Sequence, residues 1–349
     1  MATDRTRKTK MNAIGLDKGD YRGGTSTMCA GCGHDSISSQ IITAAFELGL
    51  KPENVIKLSG IGCASKSPAY FLNRSFGFNT VHGRMPSVAT GAVLANRTLR
   101  AIGVSGDGDT SNIGLGQFKH LVRRNTPLVY IIENNGVYGL TKGQSSATAD
   151  KGQSVKYYGR NELPPIDLCF EAIIGGCGFV ARSFAGDTKQ VRTLLKAALS
   201  YHGTAVLDII SPCVTFNNLP ESSKSYDWVR KHGSPIHDIS FVPVRDEILI
   251  DYAPGETATV ELHDGSLIML KKLDRDYDPP DLAAAVSMLV TSRNEEALLT
   301  GLLYYDPDRP TILEMDNLVD IPLAHLPVDD LRPNQESLEA IMDGMRSKR

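Results

Sequence analysis

Residues 101–135 read AIGVSGDGDTSNIGLGQFKHLVRRNTPLVYIIENN. The opening run Ala101–Ser105 is short, apolar and closed by glycine, so it predicts a buried strand. Gly114–Arg123 has the length and spacing of a helix, and Leu128–Ile132 is a second buried strand. A strand, a helix and a strand of this size make a parallel crossover unit. Polar residues then fall at the carboxyl ends of neighbouring strands: Gly106-Asp107-Gly108-Asp109 after the first and Asn134-Asn135 after the second. Either cluster alone is an ordinary turn or loop. Together they offer glycines, which let backbone approach phosphate oxygens, and a carboxylate, an amide and a backbone carbonyl, which are hard oxygen donors for Mg²⁺.

The same alternation extends outward. From Ser36, Ile37, Ile41, Ala44, Ala45 and Leu48 share one helical face that stops at Gly49; Val55–Ser59, Phe179–Ala181 and Ala205–Ile210 read as strands, and Thr188–Tyr201 as a helix. The fold class that follows is α/β, a mainly parallel sheet covered by helices on both faces, with ligands gathered at the carboxyl ends of its strands. Residues 1–27 are polar and without period, an arm that lies over something else and needs a partner for order. After Pro212 the pattern changes to a polar, proline-punctuated stretch, then a hairpin of Thr257–Leu262 and Leu267–Leu270 around His263-Asp264-Gly265, and helices at Leu282–Val290 and Gln335–Met345. Three parts are expected: an arm, 1–27; a binding domain, 28–235; and a C-terminal α+β appendage, 236–349.

A net charge of −3 gives no basic field to recruit nucleic acid or an anionic membrane. No apolar run approaches the roughly 18 residues of a membrane span, and the first ten residues lack the apolar stretch of a secretory signal, so a cytoplasmic location is expected. In that compartment the six cysteines are thiols or metal ligands rather than disulfides. Cys29 and Cys32 form a CxxC, Cys63 sits in Ser59-Gly60-Ile61-Gly62-Cys63, and Cys213 ends Ser211-Pro212-Cys213. Four thiolates suit Zn²⁺ or a [4Fe–4S] cluster, and spacing alone does not decide between them, although one CxxC completed by two distant single cysteines is commoner for clusters built into an enzyme core. A redox dithiol competes for Cys29 and Cys32, but no thioredoxin-like unit surrounds them. Cys169 and Cys177, in the apolar stretch Asp167–Val180, read as ordinary buried cysteines.

A GDG, an intervening helix and strand, and then NN resemble the motif of thiamine-diphosphate enzymes. That resemblance makes Asp107, Asn135 and the carbonyl of Val137 the Mg²⁺ ligands. With the cysteines added, residues 25–235 resemble the β subunit of 2-oxoacid:ferredoxin oxidoreductases. The resemblance is carried by Cys-Ala-Gly-Cys-Gly-His at 29–34, Gly-Ile-Gly-Cys-Ala-Ser-Lys at 60–66, His82-Gly83-Arg84, the GDGD of 106–109, Asn-Asn-Gly-Val-Tyr-Gly-Leu-Thr-Lys at 134–142, and Ser211-Pro212-Cys213. It implies that Cys29, Cys32, Cys63 and Cys213 hold a [4Fe–4S] cluster. It further implies that Ile61, Gly62, Cys63, Ala64, His82, Gly106, Gly108, Asp109, Gly139 and Leu140 contact thiamine diphosphate, with Arg84 suited to its phosphates. Lys66 and Lys142, by default solvated charges, would lie near the 2-oxoacid and coenzyme A. His82 read alone is a satisfied core histidine.

The activity implied is CoA-dependent oxidative decarboxylation of a 2-oxoacid to acyl-CoA and CO₂. Electrons would leave through the cluster to ferredoxin, in a cycle that can run backward to fix CO₂. Asn134–Gln144 reads most like the 2-oxoglutarate branch, with pyruvate or a broad range of 2-oxoacids as the alternative. Because only the diphosphate-binding half of a thiamine enzyme is recognisable, an α subunit is expected to complete an αβ or (αβ)₂ assembly. Two rivals remain: a non-redox thiamine-diphosphate enzyme with structural zinc, separable by iron analysis, and a non-catalytic scaffold subunit, separable by cofactor binding and turnover.

Overall fold

Buried, near-continuous apolar strands dictate the centre of the molecule. The computed structural model describes residues 10–155, 159–217, 222–235, 257–261, 267–271, 281–294, 297–332 and 334–347. The main sheet is built from β1 (Val55–Ser59), β2 (Phe76–Asn79), β3 (Arg100–Gly106), β4 (Leu128–Asn134), β5 (Phe179–Phe184), β6 (Thr204–Ile210), β7 (Gly233–Pro235) and β8 (Leu298–Tyr305). Its order is β7-β8-β5-β6-β4-β3-β1-β2, and every adjacent pair is parallel except β8 with β5. β3 and β4 run further than the apolar pattern alone indicates, because their ladder continues through Ser105 opposite Ile132 and Gly106 opposite Glu133. That extension carries the polar residues out in register at one rim.

Helices α1 (Gly33–Glu47) and α5 (Thr188–Ser200) pack on each other and cover one face, meeting Val104, Val129, Ile131 and Leu207. Helices α2 (Met85–Ala95), α3 (Leu115–Arg124), α4 (Leu168–Ile174) and α6 (Leu282–Asn294) cover the other, around Leu58, Tyr130, Ile132 and Val206. Alternate residues of β4 therefore enter different cores, so the whole strand is buried. Phe118 of α3 meets Tyr130 edge-on at 5.3 Å. α1 begins at Gly33 rather than Ser36, because Cys32 closes the CxxC turn with an N–H to the Cys29 carbonyl at 3.0 Å and hands directly into the helix.

The arm, expected to need a partner for order, is held from residue 11 onward by its own chain. Asp17 caps the turn Lys18–Tyr21, Tyr21 is wholly buried against Phe46, and Arg22 bridges to Phe71. In the C-terminal segment, β8 joins the main sheet beside β5 and Thr257–Glu261 pairs antiparallel with Leu267–Lys271. The turn His263–Gly265 and Leu262 lie outside the described residues. A C-terminal helix, Gln335–Arg346, lies on the surface. Among the described residues no helix is long and apolar enough to cross a membrane.

Candidate active site

The adjacent strands β6, β4, β3 and β1 release their chains at one rim, where the residues after them meet. Gly106 ends β3 and Asp107, Gly108 and Asp109 follow it; Asn135, Val137, Tyr138 and Gly139 follow β4; and Ile61, Gly62, Cys63 and Ala64 follow β1. All of these line one cleft, joined by His34 and Glu133. The turn after β3 widens into a π-type coil, Asp109–Ile113, closed by the Gly114 N–H on the Asp109 carbonyl at 2.9 Å.

Asp107 is 1% exposed. Its Oδ1 accepts the Asn135 N–H at 3.2 Å, and its Oδ2 accepts the hydroxyls of Thr148, at 2.6 Å, and Ser146. Burial nonetheless pushes its carboxyl above the usual range, and the ion pairs among the described residues do not include it. A buried carboxylate with this unmet need for positive charge fits a Mg²⁺ ligand. The Asn135 side-chain carbonyl accepts the Val137 N–H at 3.0 Å, which fixes the second expected ligand relative to the third. Asp109 is committed differently. It accepts from the Gly83 N–H and the Ser105 hydroxyl, both at 2.7 Å, and from His82 Nδ1. A Cβ on Gly60 would stand 1.7 Å from Asp109 Oδ2, so only glycine permits this approach. Gly83, at φ +72°, turns His82 back toward the same carboxylate.

His82 thus faces Asp109 and, edge-on at 6.1 Å, Tyr138. It does not line the cleft, nor do Arg84, Leu140, Lys66 or Lys142. Arg84 is exposed, Leu140 is 53% exposed, and Lys142 is an exposed residue held in the left-handed region at φ +75°. Lys66 sits in the short helix Ala64–Ala69 and acts electrostatically on Cys63.

The four candidate cysteine ligands come together. Burial raises the Cys63 thiol, and the charges of Cys213 and Cys29 add to the rise. Burial pushes Cys32 up to about 12, with Glu133 and Cys213 contributing. A Cβ on Gly139 would meet the sulfurs of Cys63 at 3.4 Å and Cys213 at 3.7 Å, so its missing side chain keeps that space open. Among the described residues no three His, Cys, Asp or Glu side chains are arranged around a single ion. A cubane asks for something else, since each thiolate binds its own iron and the sulfurs ring the cluster. The amino end of α1 also points its partial positive charge at the CxxC, which favours thiolates there. Cys169 and Cys177 are wholly buried in the core, as the sequence indicates, and burial raises both thiols.

Sequence reasoning passed over Glu133, Ser146 and Thr148, and quoted His34 and Tyr138 only as members of their motifs, with no role. Only Glu133 left a signal, as the one charged residue in the apolar run of β4. Burial pulls the His34 imidazole down to about 4 and holds the Glu133 carboxyl well above its ordinary range.

Residues 60–209 match the thiamine pyrophosphate enzyme family, C-terminal TPP binding domain. The chain is 39% identical over 225 residues to a 2-oxoacid:ferredoxin oxidoreductase subunit beta from Sulfolobus sp, covering 63% of this chain and 70% of that one. It is 37% identical over 294 residues to the 2-oxoglutarate oxidoreductase subunit KorB of Mycobacterium tuberculosis, covering 81% of this chain and 76% of the relative. Among solved structures, it is similar to 2-oxoglutarate:ferredoxin oxidoreductase from Magnetococcus marinus with 2-oxoglutarate, coenzyme A and succinyl-CoA bound. That match has a TM-score of 0.69 and 31% identity, and covers 85% of this chain and 87% of that one. Both the strand-end motifs and these matches over most of each partner's length lead to one assignment: the chain belongs to the β subunits of the 2-oxoacid:ferredoxin oxidoreductase family.

Proposed function

We propose that this chain binds thiamine diphosphate through Mg²⁺, carries a [4Fe–4S] cluster, and with a separate α subunit converts 2-oxoglutarate and coenzyme A to an acyl-CoA and CO₂, passing electrons to ferredoxin. The observation that carries the reading is Cys63, which lines the same cleft as Asp107 and Asn135 while its sulfur shares the open space beside Gly139 with that of Cys213. An electron donor and its acceptor would thereby be neighbours. The choice of 2-oxoglutarate is supported by the relative from Mycobacterium tuberculosis and the structure from Magnetococcus marinus, both named for it.

In this reading Asp107, Asn135 and the Val137 carbonyl hold Mg²⁺, and Cys29, Cys32, Cys63 and Cys213 hold the cluster. When bound, thiamine diphosphate would supply an electron sink for the reacting carbon and the cluster would supply a one-electron acceptor. The chain's own residues bind and orient. Gly106 and Gly108 let backbone reach the diphosphate, Ile61 to Ala64 and Gly139 form walls, and Asp109 fixes the loop that bears His82 and Arg84. Leu140 covers the outside, while Lys66 and Lys142 offer cations to a substrate carboxylate and to coenzyme A phosphate. An αβ or (αβ)₂ assembly in the cytoplasm completes the proposal.

The test is purification with the natural partner, iron analysis, and CoA-dependent viologen reduction across a panel of 2-oxoacids. Roughly four irons per chain and a preference for 2-oxoglutarate are expected. Zinc without iron, or turnover without viologen reduction, overturns the redox assignment; bound cofactor without turnover overturns the enzymatic one.

A further inference from the structure

The cysteines arrive on three separate segments: Cys29 and Cys32 before α1, Cys63 after β1, and Cys213 after β6. Behind them, wholly buried at the end of β4, sits Glu133. Both its carboxyl oxygens accept from the Ser67 hydroxyl at 2.9 Å, and Ser67 lies in the short helix whose amino end is Cys63. His34, two residues after Cys32, places Nδ1 at 3.6 Å from Glu133 Oε2 and at 2.6 Å from the hydroxyl of Ser211, two residues before Cys213. The contact between α1 and Ser211 requires glycine, since a Cβ on Gly33 would stand 2.5 Å from Ser211 Oγ. The Ser211 N–H in turn donates to the Asn134 carbonyl, beside Glu133, at 2.7 Å.

An acid that only filled the core would be dispensable, because a well-packed apolar residue there is often neutral or stabilising. This one instead meets a side chain from the Cys63 segment and one from the CxxC segment, and the latter reaches the Cys213 segment. We infer that Glu133 is a positioning residue that, through Ser67, His34 and Ser211, locks the three cysteine-bearing segments into one register behind the cluster. The inference rests on the cluster assignment above and deepens it: the four thiolates are spaced by a hub on the central strand, so their geometry is set before iron arrives.

The full chain is prepared as wild type, Glu133→Gln, Glu133→Ala, Ser67→Ala and Ser211→Ala. Iron content and the EPR spectrum of the dithionite-reduced protein are read alongside the rate at which a mild thiol oxidant forms a Cys63–Cys213 disulfide in the iron-free chain. Loss of a supporting partner around a metal site commonly lowers retention by about tenfold or more, and that loss is expected in Glu133→Ala, with a broadened EPR signal and slowed disulfide formation. Glu133→Gln, which still accepts from Ser67, should restore iron, spectrum and disulfide rate. Wild-type behaviour of Glu133→Ala, or equal loss in Glu133→Gln, overturns the inference. If Glu133→Ala fails to fold, Ser67→Ala and Ser211→Ala decide, and wild-type iron retention in both overturns it. A wild type that holds no iron defeats the cluster assignment instead, and the disulfide rates of the iron-free variants then judge the hub alone.

Discussion

Replacing Asp107 by asparagine should separate two energies that the native residue joins. The amide keeps the local hydrogen bonds: its oxygen still accepts the Asn135 N–H, and its nitrogen can donate to the hydroxyls of Thr148 and Ser146, which rotate to accept. Only the charge is lost. Without ligand that charge opposes folding, since burial holds the carboxyl above its ordinary range, so the ligand-free variant should unfold at the same temperature as wild type or higher. With Mg²⁺ and thiamine diphosphate at about 100 times the dissociation constant, binding adds about 2.7 kcal/mol to the native chain. At roughly 2.1 cal/mol/K per residue, the unfolding entropy of a chain this long is about 0.7 kcal/mol/K, which converts that energy to a rise of about 4 °C. The variant should show none of this rise. Thermal unfolding with and without Mg²⁺ and cofactor measures both quantities. A full ligand-dependent rise in Asp107→Asn, or a ligand-free variant several degrees below wild type, would refute the reasoning.

Changing any of Cys29, Cys32, Cys63 or Cys213 to alanine should lose or degrade the [4Fe–4S] EPR signal, while Cys169→Ala and Cys177→Ala keep it; the opposite pattern would show that the fourth ligand was misassigned. Arg182, 6% exposed, bridges Asp167 at the cap of α4 and Asp208, to which its Nε donates at 3.2 Å. Arg182→Ala strands one buried carboxylate, Asp208, and one partly buried one, Asp167, and should lower stability by about 3 kcal/mol in denaturant unfolding; a loss under 1 kcal/mol would mean that the ion network is solvated. Asp187 caps α5 through the Gln190 N–H, and burial raises its carboxyl to about 6. A folded value above the unfolded one means that its favourable contribution is complete below the unfolded value and fades as pH climbs through about 6. Because the residue is partly exposed, the effect should be no more than about 2 kcal/mol. Asp187→Asn keeps the cap and should flatten stability across that window, and an unchanged pH profile would show that another group controls it.

The strand-end motifs were legible because they are local: glycines, acids and amides packed between apolar runs identify a rim without knowledge of the rest of the fold. The core cysteines Cys169 and Cys177 were legible for the same reason. Strand β2 was not, since Phe76–Asn79 is exposed along its length and offers no burial pattern. Helix α2, rich in small residues, shows no polar face to mark a period. The supports of Asp107 were hidden in a different way. Ser146 and Thr148 lie about 40 positions away in sequence, and serine and threonine between polar residues read by default as loop. Only the tertiary return of that loop turns them inward. Glu133 was visible as an anomaly in β4, but its partners, Ser67 and His34, come from two distant segments that no period connects.

Strand β8 has a consequence for the chain's behaviour in solution. It runs against the direction of β5 and covers the outer hydrogen-bonding row of that strand, and its own Leu303 is wholly buried. Cutting the chain before Leu298 would bare that row of N–H and C=O groups, a ready template for strand addition by another copy. The C-terminal segment therefore does more than decorate the sheet: by occupying β5 it leaves no open edge there for a second copy to extend.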